Sequence, residues 1–418
     1  MTRTPELKAS TAVPPAALPD DESLSTTTTS SSPTPVTVLT GFLGSGKTTA
    51  LNALLVQPAL RHTAVIINEF GEVGLDHHLV ARTEEDLVLL ANGCICCTVR
   101  GDLIGAFTML AEQRAKAEGA GNGPEKGTAD GAGGRFVERV IVETTGLADP
   151  APILHTLMSD PAVTAKYRLA NVVATVDAVN AEGTLDRHAE AVKQVAVADR
   201  LLLTKTDLVD AAARDRLVAR LRAINPAADI VDVAQAITQP ETLLGDDTYD
   251  PARRGADVEA WLRVAAYEDD AEDGAEDEPE HAHDHHDHDS DYAQHAGHAH
   301  DHAHTHAHDR NRHDDHIKAF SIIRDQPVSW AGLQTWLEMI AGMRGDDLLR
   351  VKGIVNVIEH PGQPVVIHGV QHLFHPPAFL PAWPDADHRT RIVFITRDIE
   401  RDLVEDTLRI FESRRTRR

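Results

Sequence analysis

Short apolar runs rich in β-branched residues alternate with polar, helix-prone stretches through the first half of the chain. Runs of about 4 to 8 such residues are typical of buried strands. A regular alternation of strand and helix is typical of a parallel sheet covered by helices. The pattern therefore predicts an α/β fold with a mainly parallel sheet flanked by helices. The predicted strands are 35–40, 63–67, 137–142, 171–176, 200–203 and 229–233, with a further apolar run at 87–90.

The pattern changes toward the C-terminus. Apolar runs at 319–323, 348–357 and 391–395 predict three strands, and stretches at about 330–342 and 398–413 predict two helices. Because strand and helix no longer alternate regularly, we expect a small α+β domain with a mostly antiparallel sheet. This domain shows no obvious catalytic group of residues.

Two low-complexity stretches divide the chain. Residues 1–34 are rich in Ser, Thr and Pro, and residues 246–316 are acidic and then very rich in histidine. Neither stretch can bury enough apolar surface to fold, so both are expected to be disordered. The predicted domains are therefore 35–245 and 317–418. A glycine-rich insertion at 119–134 is expected to be a flexible surface loop.

The overall charge and the few cysteines narrow the functional classes. The 418-residue chain has a formal net charge of −25, which argues against a nucleic-acid partner because phosphate binding needs a basic surface. No apolar run is long enough to span a bilayer, and the first residues lack a hydrophobic secretion signal, so no membrane partner is expected. The three cysteines lie within the segment 94–97, too close together for a disulfide framework, which suits the cytoplasm.

The stretch 41–49, GFLGSGKTT, matches the phosphate-loop pattern GxxxxGK[ST] and stands between a predicted strand and a helix-prone run. Its glycines allow backbone N–H groups to surround a triphosphate, and the helix adds the positive end of its dipole. We expect Lys47 to neutralise the β- and γ-phosphates and the Thr48 hydroxyl to bind Mg²⁺. The predicted phosphate contacts are Gly41, Gly44, Ser45, Gly46, Lys47, Thr48 and Thr49.

A second nucleotide motif, Thr204-Lys205-Thr206-Asp207, follows a predicted strand. A carboxylate at Asp207 can accept both N1–H and N2–H of guanine, whereas adenine would leave it unpaired, so GTP is favoured over ATP. The stem of Lys205 is expected to lie over the base, and Thr204 stands where GTPases usually carry Asn. The alternative is a capping aspartate after a buried strand.

A third motif begins at Glu143, directly after the predicted strand at 137–142. A carboxylate at a strand end beside a phosphate loop can hold Mg²⁺ through water, and Gly146 can offer its N–H to the γ-phosphate. We therefore expect the segment 144–150 to be a nucleotide-dependent switch, with a simple strand-to-helix turn as the alternative. The predicted catalytic residues are Lys47, Thr48, Glu143 and Gly146.

Three cysteines form a candidate site for a transition metal. Thiolates at short spacing bind Zn²⁺ and similar ions, and the predicted ligands are Cys94, Cys96 and Cys97. Which of the three bind, and what supplies a fourth ligand, stays open. An incomplete site suits a metal in transit better than a structural zinc. Inert packing and a redox function are the alternatives.

Two further groups are candidate metal ligands. Glu69 and Glu72 lie in a glycine- and carboxylate-rich loop that could respond to nucleotide and lend an oxygen ligand, and a solvated acidic loop is the alternative. The histidine-rich segment can bind several divalent ions weakly, and a solubilising tether is the alternative. Its histidines include His281, His283, His285, His286 and His288.

Together these motifs resemble those of the CobW-like GTPases, also described as zinc-regulated GTPase metalloprotein activators. The matching stretches, in the family's order, are 41–49, 68–72, 94–97, 143–146 and 204–207. The region from residue 317 onward is similar to the family's C-terminal domain. The resemblance implies hydrolysis of GTP with Mg²⁺, coupled to transfer of a metal held at the CxCC motif to a client metalloprotein.

The expected function is therefore that of a cytoplasmic GTPase that carries Zn²⁺ to an unidentified client. One alternative is a histidine-rich storage or buffering protein that the nucleotide regulates. Another is a cobalt-specific factor for cobalamin synthesis or nitrile hydratase activation, since thiolate ligation does not distinguish Zn²⁺ from Co²⁺. Whether the C-terminal domain recognises the client or forms a homodimer stays open.

Overall fold

The computed structural model describes residues 33–68, 87–89, 98–119, 137–245, 261–267 and 316–412. Two β-sheets, each accompanied by helices, are found in these residues. The strands of the first sheet are β1 (Thr34–Gly41), β2 (Thr63–Asn68), β3 (Leu87–Leu89), β4 (Arg139–Thr144), β5 (Tyr167–Asp177), β6 (Arg200–Thr204) and β7 (Asp229–Asp232). The helices of this part are α1 (Lys47–Leu55), α2 (Thr98–Gly119), α3 (Ala151–Ser159), α4 (Pro161–Thr164), α5 (Ala181–Arg187), α6 (Ala189–Val197), α7 (Ala211–Ile224), α8 (Val233–Thr238) and α9 (Glu241–Leu244).

The first sheet has the order β3-β2-β4-β1-β5-β6-β7, and every strand pair in its described residues is parallel. The predicted α/β fold with a mainly parallel sheet is confirmed. In such a sheet the carboxyl ends of the strands meet at one edge. The loops after β1, β4 and β6, which carry the three predicted nucleotide motifs, therefore come together there.

Both faces of the first sheet are buried. Val36 and Val38 of β1 share a large core with Phe107 of α2, whereas Leu39 shares a second core with Leu51 of α1. Successive side chains of a strand point to opposite faces. A sheet covered on both faces therefore gives the nearly continuous apolar runs seen in the sequence.

The second sheet is antiparallel throughout its described strand pairs, in the order β11-β10-β9-β13-β8 with β12 beside β10. The predicted α+β architecture with a mostly antiparallel sheet is confirmed. Its strands are β8 (Ile317–Arg324), β9 (Leu348–Val355), β10 (Val365–Val370), β11 (Leu373–Phe374), β12 (Ala378–Phe379) and β13 (Thr390–Arg397). Its helices are α10 (Trp330–Arg344) and α11 (Arg401–Glu412).

The two faces of the second sheet have different neighbours. Ile392 and Phe394 of β13 pack in one core with Trp336 of α10. The alternate residues Val393 and Ile395 belong to the large core of the first sheet. The second sheet is thus docked by one apolar face onto the nucleotide-motif part of the chain.

A buried ionic cluster crosses this contact. Arg350 donates hydrogen bonds to Val197 O and Asp199 Oδ1, and Lys352 Nζ donates to the same carboxylate oxygen at 3.0 Å. Burial raises the pKa of Asp199, but the two cations outweigh that effect and hold it below its ordinary value. The cluster adds specific polar pairing to an apolar contact.

The structure corrects several details of the sequence prediction. Strand β10 escaped prediction because His368 and Gly369 interrupt its apolar run. Helix α11 begins at Arg401, not at residue 398, because Asp398 has φ of 52° and closes a turn after β13.

Within the predicted disordered linker, Leu262 is fully buried, so the expectation of disorder does not extend to residues 261–267. No helix in the described ranges is both long and apolar enough to cross a membrane. Residues 1–32 of the predicted disordered tail and 120–134 of the predicted insertion lie outside the described residues. At their borders the structure corrects both predictions, because Thr34 is the buried first residue of β1 and Gly119 is the last residue of α2.

Candidate nucleotide-binding site

The phosphate loop leaves β1 and enters α1, whose N-cap is Gly46. Gly41, Gly44 and Gly46 have φ of 137°, 73° and 89°, a region that favours glycine. A Cβ added at Gly41 would lie 2.2 Å from Thr175 Oγ1 and 2.6 Å from Thr175 O. The close approach of β5 therefore also requires glycine at this position.

Buried polar side chains fix the loop. Lys47 is 8 % exposed, and its Nζ donates to Gly41 O at 2.8 Å and to Phe42 O at 3.2 Å. The hydroxyls of Ser45 and Thr175 lie 2.5 Å apart. The Lys47 ammonium thus lies against the backbone of the loop, which is itself tied to the neighbouring strand.

Glu143 lies at the carboxyl end of β4 and is 5 % exposed. Thr48 Oγ1, in the first turn of α1, donates a hydrogen bond of 2.6 Å to Glu143 Oε1. A hydroxyl and a carboxylate oxygen side by side are the type of group that Mg²⁺ prefers. The two predicted Mg²⁺ residues are therefore brought together, and their chemistry fits that ion.

The segment after β4 lies against the phosphate loop. A Cβ added at Gly146 would come within 2.7 Å of Leu43 N and 2.8 Å of Leu43 Cα. From α6, Gln194 donates through Nε2 to Ala148 O at 3.0 Å and to Gly146 O at 3.3 Å. Gln194 is 1 % exposed and was missed by sequence reasoning, because a glutamine inside an amphipathic helix gives no local signal.

The second motif is joined to the same loop. Thr204 Oγ1 donates to Ser45 O at 2.7 Å. Lys205, at φ of 56°, donates through Nζ to Gly44 O at 2.9 Å and to Asp177 Oδ2 at 2.7 Å. Asp207 is exposed in the following turn.

Asp177 is a site residue that sequence reasoning missed. Burial raises the pKa of Asp177, but hydrogen bonds from Lys205 and Asn180 and from a backbone N–H outweigh it, so the pKa lies below its ordinary value. The carboxylate therefore stays charged and holds the Lys205 ammonium. Its position at the end of β5, one strand from the Lys205 motif, was the available signal.

A cavity of about 340 Å³ adjoins the phosphate loop. It is lined by loop residues together with side chains of β5, α5 and α6, among them Phe42, Leu43, Asp177, His188 and Gln194. Phe42 and His188 stack with ring centroids 4.4 Å apart. The cavity is therefore bounded both by the loop and by α6, the helix that supports the segment around Gly146.

The predicted transition-metal ligands lie outside the described residues. These are Cys94, Cys96, Cys97, Glu69, Glu72 and the histidines of the segment that includes His281, His283, His285, His286 and His288. In the part of the chain that the structure describes, no group of three or more His, Cys, Asp or Glu side chains is placed to hold a metal ion. The predictions for the cysteines, the two glutamates and the histidines therefore remain predictions.

Comparison with protein families decides the membership of the chain. Residues 35–232 match the model of the CobW/HypB/UreG nucleotide-binding domain, and residues 317–412 match the cobalamin synthesis protein cobW C-terminal domain. This chain belongs to the CobW family. The resemblance drawn from the motifs is confirmed for both parts of this CobW-family protein.

Curated relatives of this CobW-family chain carry zinc in their names. It is 39 % identical over 202 residues to the zinc chaperone YjiA of Escherichia coli K12, across 48 % of this chain and 58 % of YjiA. It is 33 % identical over 207 residues to zinc-regulated GTPase metalloprotein activator 1 of Schizosaccharomyces pombe, across 48 % of this chain and 46 % of that protein. The chain thus matches about half the length of these relatives.

A solved structure supports the fold of the CobW-family chain. The Zn(II)-bound YjiA GTPase from E. coli superimposes with a TM-score of 0.53 at 24 % identity. The superposition covers 91 % of this chain and 99 % of that one. At this identity the likeness shows the fold alone, and it extends over both sheets.

Proposed function

We propose that this protein is a GTP-hydrolysing metallochaperone that binds Zn²⁺ at Cys94, Cys96 and Cys97 and transfers it to a client metalloprotein. The observation that carries the proposal is the hydrogen bond between Thr48 and Glu143, which joins the phosphate loop to the segment beside it. That pairing occurs in a chain of the CobW family, whose relatives are named zinc chaperones and zinc-regulated GTPases. We propose that it acts in the cytoplasm.

Binding of the triphosphate rests on the phosphate loop. Its backbone N–H groups and the start of α1 offer positive ends of dipoles to the phosphates. Lys47 adds a positive charge, and its ammonium, which donates to Gly41 O of the loop, would donate to a phosphate oxygen when the triphosphate is bound. Thr48 and Glu143 would hold Mg²⁺, which neutralises phosphate charge when it is bound.

Selection of guanine rests on the second motif. Asp207 is exposed at the carboxyl edge, where its carboxylate can accept two hydrogen bonds from the base. The ammonium of Lys205 is held by Gly44 O and Asp177, which fixes the position of its aliphatic stem. We propose that this stem forms one wall of the base site. Thr204 uses its hydroxyl to anchor the loop carbonyl of Ser45.

Coupling to the metal rests on the strand order. Residues 68–76 follow β2, and the cysteines follow β3, the two strands on the far side of β4 from the phosphate loop. Both stretches therefore start from the same sheet edge as Glu143. Phosphoryl transfer depends mainly on positioning and charge, so we expect slow turnover until metal or client completes the site.

The test is GTP hydrolysis by the full-length apo protein with Mg²⁺, titrated with Zn²⁺ and separately with Co²⁺. Wild type is compared with the Cys94→Ala/Cys96→Ala/Cys97→Ala variant. We expect the wild-type rate to change with metal and the triple variant not to respond. Lys47→Ala should lose hydrolysis and keep its metal, which separates the two sites.

An identical metal response in both proteins would refute the cysteine site. A storage function, suggested by the density of histidines in the linker, would then be favoured. Deletion of residues 270–315 distinguishes the two: a chaperone keeps one tight site and its GTPase activity, whereas a storage protein loses most of its bound metal. If the GTPase rate responds to Co²⁺ and not to Zn²⁺, cobalt is the metal that the protein carries.

A further inference from the structure

The segment that follows Glu143 touches the second sheet as well as the phosphate loop. Asp149 Oδ2 accepts a hydrogen bond of 3.1 Å from Lys193 Nζ on α6 and another of 3.1 Å from Gln371 Nε2. Asp149 Oδ1 accepts from Ala151 N at 3.0 Å, at the start of α3. One carboxylate thus joins the segment to its own helices and to the C-terminal sheet.

Gln371 is fixed in an unusual backbone conformation. It follows β10 with φ of 54°, a left-handed value that a residue with a Cβ seldom adopts. Its N–H donates to Leu348 O at 2.7 Å, and the residue is 6 % exposed. Strained, buried residues of this kind persist where the surroundings hold them, and they cluster at functional contacts. The amide of Gln371 is therefore presented rigidly to Asp149.

The same segment already lies close to the phosphate loop. Gly146 is three residues before Asp149, and its Cα position packs against the backbone of Leu43. Gln194 holds the carbonyls of Gly146 and Ala148 between these two points. A displacement at Asp149 therefore has a short path to Gly146, along a stretch of three residues in which Gln194 holds two carbonyls.

We propose that Gln371 is a positioning residue for the nucleotide site: through its hydrogen bond to Asp149 it holds the segment 144–150 with Gly146 against the phosphate loop. This inference rests on the proposed GTPase function and extends it. Under this inference, the position of the C-terminal sheet depends on whether GTP or GDP is bound. By thermodynamic linkage, whatever moves that sheet changes the affinity for GTP, and GTP changes the position of the sheet by the same coupling.

The direction of the effect follows from the geometry. The Gln371–Asp149 bond exists together with the close packing of Gly146 on Leu43. This is the placement from which, under the proposed function, the Gly146 N–H would donate to a γ-phosphate. GDP has no γ-phosphate and gains nothing from that placement. Loss of the bond should therefore weaken a GTP analogue and leave GDP nearly unchanged.

The experiment measures dissociation constants of the full-length protein for GDP and for the non-hydrolysable analogue guanosine 5′-[β,γ-imido]triphosphate with Mg²⁺. Gln371→Asn tolerates positive φ and shortens the amide by one methylene, so the fold is kept while the bond is lost. Gln371→Glu sets a carboxylate against Asp149. Gln363→Glu, on an exposed turn of the same sheet, is the matched control for charge.

We expect the ratio of analogue to GDP dissociation constants to rise about fivefold or more in Gln371→Asn, and further in Gln371→Glu. The double variant Asp149→Asn/Gln371→Glu exchanges donor and acceptor and should bring the ratio back toward wild type. Gln363→Glu should leave the ratio unchanged. Rescue by the exchanged pair is a result that mere support of the fold would not give.

The inference is overturned if wild type binds both nucleotides and the ratio is the same in every variant. It is also overturned if both affinities fall together with the melting temperature, because that describes a purely structural contact. If wild type binds neither guanine nucleotide, the proposed GTPase function fails and this inference falls with it. The wild-type measurement therefore distinguishes the two failures.

Discussion

Thr48 donates a hydrogen bond of 2.6 Å to Glu143 Oε1, across 95 positions of the chain. The bond connects the first turn of α1 with the carboxyl end of β4, and the carboxylate is buried. The Glu143 carboxylate therefore contacts the residue that follows the lysine of the phosphate loop, and it directly precedes the segment 144–150. A change of charge at Glu143 should therefore affect both the ion and the segment.

Glu143→Gln tests the charge of this carboxylate without changing its shape. Glutamine keeps a carbonyl oxygen that can accept from Thr48, but it carries no charge to attract Mg²⁺. We expect GTP hydrolysis to fall about 10- to 100-fold and to need more Mg²⁺. The measurement is the hydrolysis rate across a Mg²⁺ titration. Glu138→Gln, at an exposed position just before β4, is the control, and a wild-type Mg²⁺ dependence in Glu143→Gln would contradict the assignment.

Asp207→Asn tests the choice of base. An asparagine can still accept from N1–H, but its amide now donates, which suits the C2 carbonyl of xanthine and not the amino group of guanine. We expect the affinity for GTP to fall about 100-fold and that for xanthosine triphosphate to rise. Competition binding of the two nucleotides measures the exchange. Asp215→Asn, exposed on α7, should retain the preference for GTP; an unchanged preference in Asp207→Asn would place guanine recognition elsewhere.

Gly146→Ala tests the packing of the segment on the phosphate loop. The new Cβ would meet backbone atoms of Leu43 at 2.7 and 2.8 Å, so the segment must move away. We expect GTP hydrolysis to fall about 10-fold or more because the N–H of residue 146 is displaced from the γ-phosphate. Kinetics at saturating GTP measure the loss.

Gly105→Ala is the matched control for that substitution. Gly105 is exposed in α2, and a Cβ there meets nothing within 4 Å. Alanine should stabilise the protein by about 0.5–1 kcal/mol through its higher helix propensity, with hydrolysis unchanged. Equal hydrolysis by the two alanine variants would show that Gly146 does not need to approach the loop.

Asp199→Asn tests the buried cluster between the two sheets. The substitution leaves Arg350 and Lys352 buried without their shared carboxylate, which should cost about 3–5 kcal/mol in the free energy of unfolding at pH 7. Urea unfolding measures this cost. Asp406→Asn removes an exposed pair with Arg409 and should cost less than about 1 kcal/mol.

The same cluster predicts a pH dependence. The folded pKa of Asp199 lies below its ordinary value, so its contribution is complete above about pH 4 and is lost as the pH falls through the folded pKa. The difference between wild type and Asp199→Asn should therefore be constant from pH 7 to about pH 5 and shrink at lower pH. A constant difference down to pH 3 would mean that the carboxylate charge is not what stabilises the contact.

Two histidines of the second part of the chain, the buried His368 and the half-buried His375, predict a separate loss of stability in weak acid. His368 and His375 stack with ring centroids 5.2 Å apart. Burial lowers the pKa of His375 to about 4, and burial together with the nearby charge of Arg350 lowers the pKa of His368 well below its usual value. The unfolded chain protonates both near pH 6.5 and the folded chain does not.

Stability should therefore fall as the pH drops from about 6.5 toward 4, by up to about 1.4 kcal/mol per pH unit for each histidine. Urea unfolding at half-unit steps measures this slope. His375→Gln should remove one histidine's share, whereas His388→Gln, at an exposed position, should not change it. A wild-type slope in His375→Gln would contradict the argument.

Much of the candidate site could be predicted from the sequence because its determinants are local. The phosphate loop needs a fixed glycine spacing between a strand and a helix, and the structure has β1, the loop and α1 in that order. Glu143 and Asp207 each follow an apolar strand, and parallel strands bring their carboxyl ends to one edge. The meeting of Thr48 and Glu143 follows from these two facts.

Other parts of the site depend on contacts with no local signal. Asp177 pairs with Lys205 from the end of a neighbouring strand, and Gln194 supports the segment around Gly146 from a helix whose sequence predicts only amphipathic packing. Strand β10 was missed because His368, which looks polar in sequence, is buried in the folded chain. Each of these residues acquires its partner only when distant elements pack.

The sequence by itself determined the α/β and α+β classes, the phosphate loop, the guanine motif and the family, since periodicity and motif spacing are properties of short stretches. Only the tertiary structure decided that the second sheet packs on helices α3, α6 and α7 of the first part and that Gln371 reaches Asp149 across 222 positions. The physical reason is that a hydrogen bond between distant residues depends on the placement of whole elements, which the packing of buried faces fixes.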